Sequence, residues 1–133
     1  SAAGLILAAT GIGFGTEEDS VEALKLLLPY GFDVNEIDYL GRTAMHGAAA
    51  RGANEVIKFL VEHGAKLDIR SNDGKAGFNV SDGIATKGVS GRTPLDEAML
   101  SDPQRPATVR MLRVMQGMDP NAPIPQFAPD PNE

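Results

Sequence analysis

The chain holds 133 residues, of which 42% are hydrophobic, 23% charged and 5% aromatic, with no tryptophan and no cysteine. That is one domain's worth of material around a core of Ala, Leu, Val and Ile, and the missing cysteine removes disulfides, thiolate zinc sites and a cysteine nucleophile together. A formal net charge of −6 argues against nucleic acid and anionic membrane surfaces, and no apolar run nears the roughly 20 residues of a membrane span.

In chain order, a first helix is expected around Leu5, Ala8 and Ala9, followed by a glycine-rich turn from Gly11 to Thr16. Gly11-Ile12-Gly13-Phe14-Gly15 invites a phosphate-loop reading, but the glycine spacing is wrong and no Lys-Ser/Thr follows. Glu17, Glu18 and Asp19 would also repel a phosphate, so the turn reads as an interhelix connection. A second helix ends at Gly31. Residues 1–40 carry one lysine against seven acidic groups, and residues 41–70 carry five basic against three acidic groups. An acidic flank therefore sits beside a mildly basic centre, an asymmetry able to steer a partner.

The unit from Asp38 to Ile69 reads as a hairpin turn, a short helix from about Thr43, a Gly52 turn and a second helix ending before Gly64. Leu26 to Val34 recurs as Phe59 to Leu67, offset by 33 residues, and Gly41-Arg42-Thr43-Ala44-Met45 returns as Gly91-Arg92-Thr93-Pro94-Leu95. Leu5, Ala8 and Ala9 stand 40 residues before Met45, Ala48 and Ala49, so the first unit has an enlarged interhelix turn. The third has an enlarged hairpin, an insert over 71–90 that we expect to fold as an ordered finger or flap packed back on the solenoid because it holds Phe78, Val80 and Ile84 among glycines, with a disordered loop as the alternative. The last helix spans about Pro106 to Gln116. Past Gly117 come five of the nine prolines, which read as an extended tail over 118–133.

The central unit resembles an ankyrin repeat. Asp38, Gly41, Thr43, Met45, His46, Ala48, Ala49, Gly52, Val56, Leu60, Gly64 and Ala65 occupy signature positions; Ala44 departs from the usual Pro, which Pro94 restores in the next unit. The resemblance implies an all-α solenoid of about three helix-turn-helix repeats with short β-hairpin connections, one of them enlarged. The expected domain covers 1–117, with repeats at about 2–36, 37–70 and 71–117. Structural roles fall to Thr43 and Thr93 as helix caps, Pro94 at a helix start, His46 within and between repeats, Ala48 at a close helix contact, and Gly52 and Gly64 at helix ends.

The same resemblance implies a protein–protein interaction module whose concave face is formed by hairpin tips and the exposed side of the first helices. On this chain that face is Tyr39, Leu40, Arg42, Ala50 and Arg51, with Arg70, Asn72, Asp73 and Arg92 as the third unit's equivalents. The expected partner is another protein, identity unnamed, and the chain is expected to be a monomer without cofactor. Alternatives are a regulatory or targeting domain cut from a larger enzyme, or a spacer stacking on upstream repeats; the start at Ser1 favours an excised piece. The glycine-rich turn and enlarged hairpin look like bacterial ankyrin domains, which points to an extracytoplasmic location, with the cytoplasm as the alternative.

Chemistry finds no foothold. His46 and His63 are the only histidines, too few for a zinc site that wants three or four ligands. Counted from Asp68, the twelfth position of a calcium loop is Asn79 rather than the closing Glu. Asp96 and Glu97 are helix neighbours about 100° apart and cannot pair across a substrate. No enzyme is expected.

Overall fold

The computed structural model describes residues 2–10, 16–72 and 91–126; the glycine-rich turn over 11–15 with Phe14, Asp73, the 71–90 insert from residue 73 onward and the tail beyond residue 126 lie outside them. Among the described residues six α-helices run in three pairs: α1 (Ala2–Thr10) with α2 (Glu17–Leu27), α3 (Ala44–Arg51) with α4 (Asn54–Glu62), and α5 (Pro94–Leu100) with α6 (Pro106–Met115). A short 3-10 turn, Leu28–Tyr30, extends the end of α2. The inner helices α1, α3 and α5 stack in sequence, and α2 packs on α4. Among the described residues no helix is long and apolar enough to cross a membrane.

The repeat in the sequence becomes a repeat in the core. Leu5, Ala8 and Ala9 of α1, Met45, Ala48 and Ala49 of α3, and Leu95, Ala98 and Met99 of α5 are all buried. Alanine recurs there because stacked inner helices approach closely, and one further methylene at such a contact would overpack it. Leu24, then Val56, Ile57 and Leu60, then Val109 and Leu112 close the core from the outer helices. One repeat cannot bury its own apolar stripe; stacking three makes it continuous.

Local chemistry sets the helix ends. Thr43 precedes α3 in extended backbone, and its N–H donates to His46 Nδ1 at 3.0 Å. Thr93 and Asp96 repeat the arrangement ahead of α5, with Thr93 N–H to Asp96 Oδ2 at 2.9 Å and Asp96 N–H to Thr93 Oγ1 at 3.2 Å. Pro94 takes the first helical position. Gly52 and Gly64 both hold left-handed backbone where α3 and α4 finish. Among the described residues the hairpin connections form turns rather than strands: Asp38 N–H donates to Arg42 O and Ser71 N–H to Arg92 O, each at 2.9 Å.

Neighbouring repeats are also tied by polar groups. α4 has no cap of its own, since Ala53 supplies no side-chain acceptor. Glu17, at the start of α2, fills the gap: its Oε1 accepts from the N–H groups of Glu55 and Val56. Asn35 accepts from Lys66 N–H at 2.8 Å and donates to Gly64 O at 3.1 Å. Removing the Glu17 acceptor strands two helix-start N–H groups, so Glu17→Ala should cost about 1 kcal/mol and Glu17→Gln much less. Thermal unfolding followed by circular dichroism reads both, and an alanine variant as stable as the parent would deny the cap.

Candidate recognition groove

The hairpin tip of the second repeat is built on Asp38. Its Oδ1 accepts from Leu40 N–H and Arg42 N–H, each at 2.9 Å, and its Oδ2 meets Arg42 Nε at 3.0 Å. Burial by itself would raise this carboxyl; the backbone hydrogen bonds from Arg42 and Leu40 and the Arg42 guanidinium outweigh it and hold the pKa below its ordinary value. A lowered folded-state value means that ionised Asp38 stabilises the turn above the ordinary value of 3.8, and that this contribution is lost as pH falls through the lowered one. Urea unfolding of the parent and of Asp38→Asn should therefore differ most at about pH 6 and converge toward about pH 3. A gap that widens on acidification would contradict the assignment.

With its backbone fixed in this way, the tip projects Tyr39, which is 87% exposed. Between the tip and the exposed side of the inner helices lies a cavity of about 540 Å3, lined by Ile6 and Thr10 of α1, Asp38, Tyr39 and Arg42 of the tip, Thr43, His46, Gly47, Ala50 and Arg51 of the α3 segment, and Glu97 of α5. Gly47 keeps the floor tight, since a Cβ there would stand 2.2 Å from Thr10 Cγ2. The result is a mostly apolar floor rimmed by two ion pairs, Asp38–Arg42 and, at 3.9 Å, Arg92–Glu97.

Of the residues expected at the binding face, Tyr39, Arg42, Ala50 and Arg51 line this groove. The others sit differently. Leu40 is half-buried and its carbonyl accepts from Asn72 N–H at 2.6 Å, so both belong to the contact between hairpins. Arg70 Nη1 lies 3.7 Å from the buried Asp96 carboxylate, and Arg92 is occupied with Glu97. Arg51 is not a free surface charge: its Nη1 donates to Ser20 Oγ at 2.7 Å and to Ala9 O at 3.4 Å, joining α3 to both helices of the first repeat. Ser20 is fully buried and its hydroxyl also donates to Thr16 O at 3.3 Å, so Arg51→Ala removes a tie between repeats that a solvated surface charge would not make, at a cost in stability.

Sequence reasoning missed Ile6, Thr10 and Glu97. The signal was present in the repeat register: Ile6 and Thr10 stand 40 residues before His46 and Ala50, and Glu97 stands 50 after Gly47. Both histidines make local hydrogen bonds, and they are not neighbours in the groove: His46 lines it and His63 lies at the end of α4. His46 is buried, with Nδ1 accepting from Thr43 N–H and Nε2 donating to Arg92 O at 2.7 Å. His63 Nδ1 donates to Phe59 O at 2.7 Å.

The family model for ankyrin repeats, in three copies, matches residues 5–124. The chain belongs to the ankyrin repeat family. In architecture it is similar to the crystal structure of the human ASB11 ankyrin repeat domain, with a TM-score of 0.56 and 25% identity over 86% of this chain and 40% of that one. In sequence it is similar to an ankyrin repeat protein of Acanthamoeba polyphaga mimivirus, 35% identical over 57 residues, which are 43% of this chain and 8% of that protein. Protein phosphatase 1 regulatory subunit 12A of Mus musculus is 34% identical over 73 residues, 55% of this chain and 7% of the subunit. Serine/threonine-protein kinase 12 of Arabidopsis thaliana is 28% identical over 116 residues, 87% of this chain and 23% of the kinase. The ankyrin chain thus spans less than a quarter of these relatives. Ankyrin repeats are protein–protein interaction modules and the fold is itself non-catalytic.

Proposed function

We propose that this ankyrin module binds a partner protein in the groove between the Asp38–Arg42 tip and the inner helices, with Tyr39 as its anchor. The observation that carries the reading is a large exposed ring beside an apolar cavity of about 540 Å3. An exposed tyrosine at a hairpin tip has no packing role, whereas interface energy concentrates in aromatic side chains that fill pockets. The ion pairs on the rim suit a partner of mixed charge, and the acidic flank from Glu17 to Glu22 biases its approach. Arg42 and Arg51 shape the groove while remaining bound to their own acceptors.

A photo-crosslinking amino acid in place of Tyr39 tests this in cell extract. Adducts are expected at that position and not when the probe replaces Lys58, which sits on the outer helix α4 paired with Glu55. Equal labelling from both positions would remove the groove from the account. Tyr39→Ala should melt with the parent, because exposed residues away from contacts contribute little to stability.

A second reading, a regulatory or targeting module within a larger protein, is favoured by two of the relatives, a phosphatase regulatory subunit and a kinase. It shares the groove with the first and differs only in whether the partner is part of the same protein. A bacterial origin rests on the glycine-rich turn and the enlarged hairpin alone; the relatives named above are eukaryotic and viral.

A further inference from the structure

The outer end of the third repeat departs from its predecessors at one core position. Four residues before the glycine that closes each outer helix stand Leu27 (before Gly31), Leu60 (before Gly64) and Arg113 (before Gly117). Leu60 is fully buried, and Arg113 is buried almost as deeply, at 3% exposure. An isolated buried cation is costly unless its N–H groups find acceptors. Among the described residues no carboxylate pairs with Arg113. Its Nη1 donates to Ala122 O, its Nη2 donates to Pro123 O at 3.1 Å, and the same nitrogen lies 3.9 Å from Met99 Sδ.

The chain reaches these donors by a turn. Gly117 adopts left-handed backbone, Met118 N–H returns to Arg113 O at 2.8 Å, and Asn121 N–H bonds Asp119 Oδ1 at 2.9 Å. Residues 122–125 then pass over the end face between α5 and α6. Ile124 packs against the core, and Gln104 Nε2 donates to Pro125 O at 2.9 Å while also holding Met99 O at 3.0 Å. The segment offers three carbonyls to two side-chain donors, and its prolines have no N–H to leave unsatisfied. The match is chemical: donors on the protein, acceptors on the segment, one aliphatic side chain between two prolines.

We propose that this end face is a second recognition site, specific for an extended proline-flanked aliphatic segment read through its backbone carbonyls by Arg113 and Gln104, and that residues 122–125 of the same chain occupy it in cis. A site held this way is self-blocked, and it opens to a segment of the same chemistry only when its own is displaced.

The test uses the full chain and a fluorescent peptide copying residues 121–126, with anisotropy as the readout. Ile124→Asp unseats the resident segment and leaves both donors in place. It should bind the peptide at least about tenfold more tightly than the parent does, and adding Arg113→Met should remove about tenfold or more, the scale of a lost charge-assisted hydrogen bond. Gln104→Ala in the same background should weaken binding in the same direction. The proposal is overturned if Ile124→Asp binds no better than the parent, if Arg113→Met leaves its binding unchanged, or if Ile124→Asp no longer unfolds cooperatively, which would make the segment an indispensable part of the core.

Discussion

Gly91→Ala is expected to destabilise the protein by about 3 kcal/mol or more, the most damaging alanine replacement among the described glycines. A Cβ at position 91 would stand 1.8 Å from the Ser71 carbonyl oxygen, and the backbone there has φ +81°. Two penalties coincide: left-handed backbone with a side chain, and a steric collision that only movement of the hairpin base can relieve. Gly31 separates them. Its φ is +83° with nothing within 4 Å of an added Cβ, so Gly31→Ala should show the conformational cost alone, about 1–2 kcal/mol. Urea unfolding of the two variants gives the difference directly. Equal losses would mean that the chain at Ser71 does not close against Gly91 and Arg92 as described.

His46→Ala should cost about 3 kcal/mol through two separate losses. Thr43 N–H loses the acceptor that caps α3, and Arg92 O loses the Nε2 donor that ties the second repeat to the third. His46→Asn keeps an acceptor in reach of Thr43 but cannot span to Arg92, so it should recover only about 1 kcal/mol of the loss. Full recovery by asparagine would make the inter-repeat bond idle. Thermal melts of the three proteins, with a calorimetric check that unfolding stays two-state, decide between the outcomes.

The fold was legible because the repeat writes the same physical solution three times. Small residues at Ala48 and Ala49, a threonine cap at Thr43 and glycines at Gly52 and Gly64 each answer a local demand, and local demands are readable in a sequence. The helix expected from about Thr43 runs over Ala44–Arg51, and the one expected over about Pro106 to Gln116 runs over Pro106–Met115. What escaped were contacts between repeats. Glu17 caps a helix 38 residues away, and Arg51 reaches Ser20 across 31. Such partners are chosen by stacking geometry, so a charged residue that looks like solvated surface in one dimension can be an internal tie in three.

The candidate site shows the same division. Tyr39 stood out as a ring at a hairpin tip, and the structure places it on the groove. Arg70 and Arg92 were placed by analogy with the central repeat and turn out to be engaged with Asp96 and Glu97. One sequence signal went unused. Gly31-Phe32-Asp33-Val34-Asn35 and Gly117-Met118-Asp119-Pro120-Asn121 share the pattern Gly-x-Asp-x-Asn, and in both the asparagine N–H bonds the aspartate Oδ1 at 2.9 Å. That pattern would have marked the start of the proline-rich segment as a structured turn of the solenoid.

The central claim is that the groove beside Tyr39 is where a partner protein binds. Its most direct measurement is titration calorimetry of a partner crosslinked through position 39, with the parent, Tyr39→Ala and Lys58→Ala chains compared at one salt concentration. Tyr39→Ala should lose about 1–3 kcal/mol in binding free energy, and Lys58→Ala should bind with an affinity equal to the parent's. An unchanged affinity for Tyr39→Ala, or an equal loss in both variants, would contradict it.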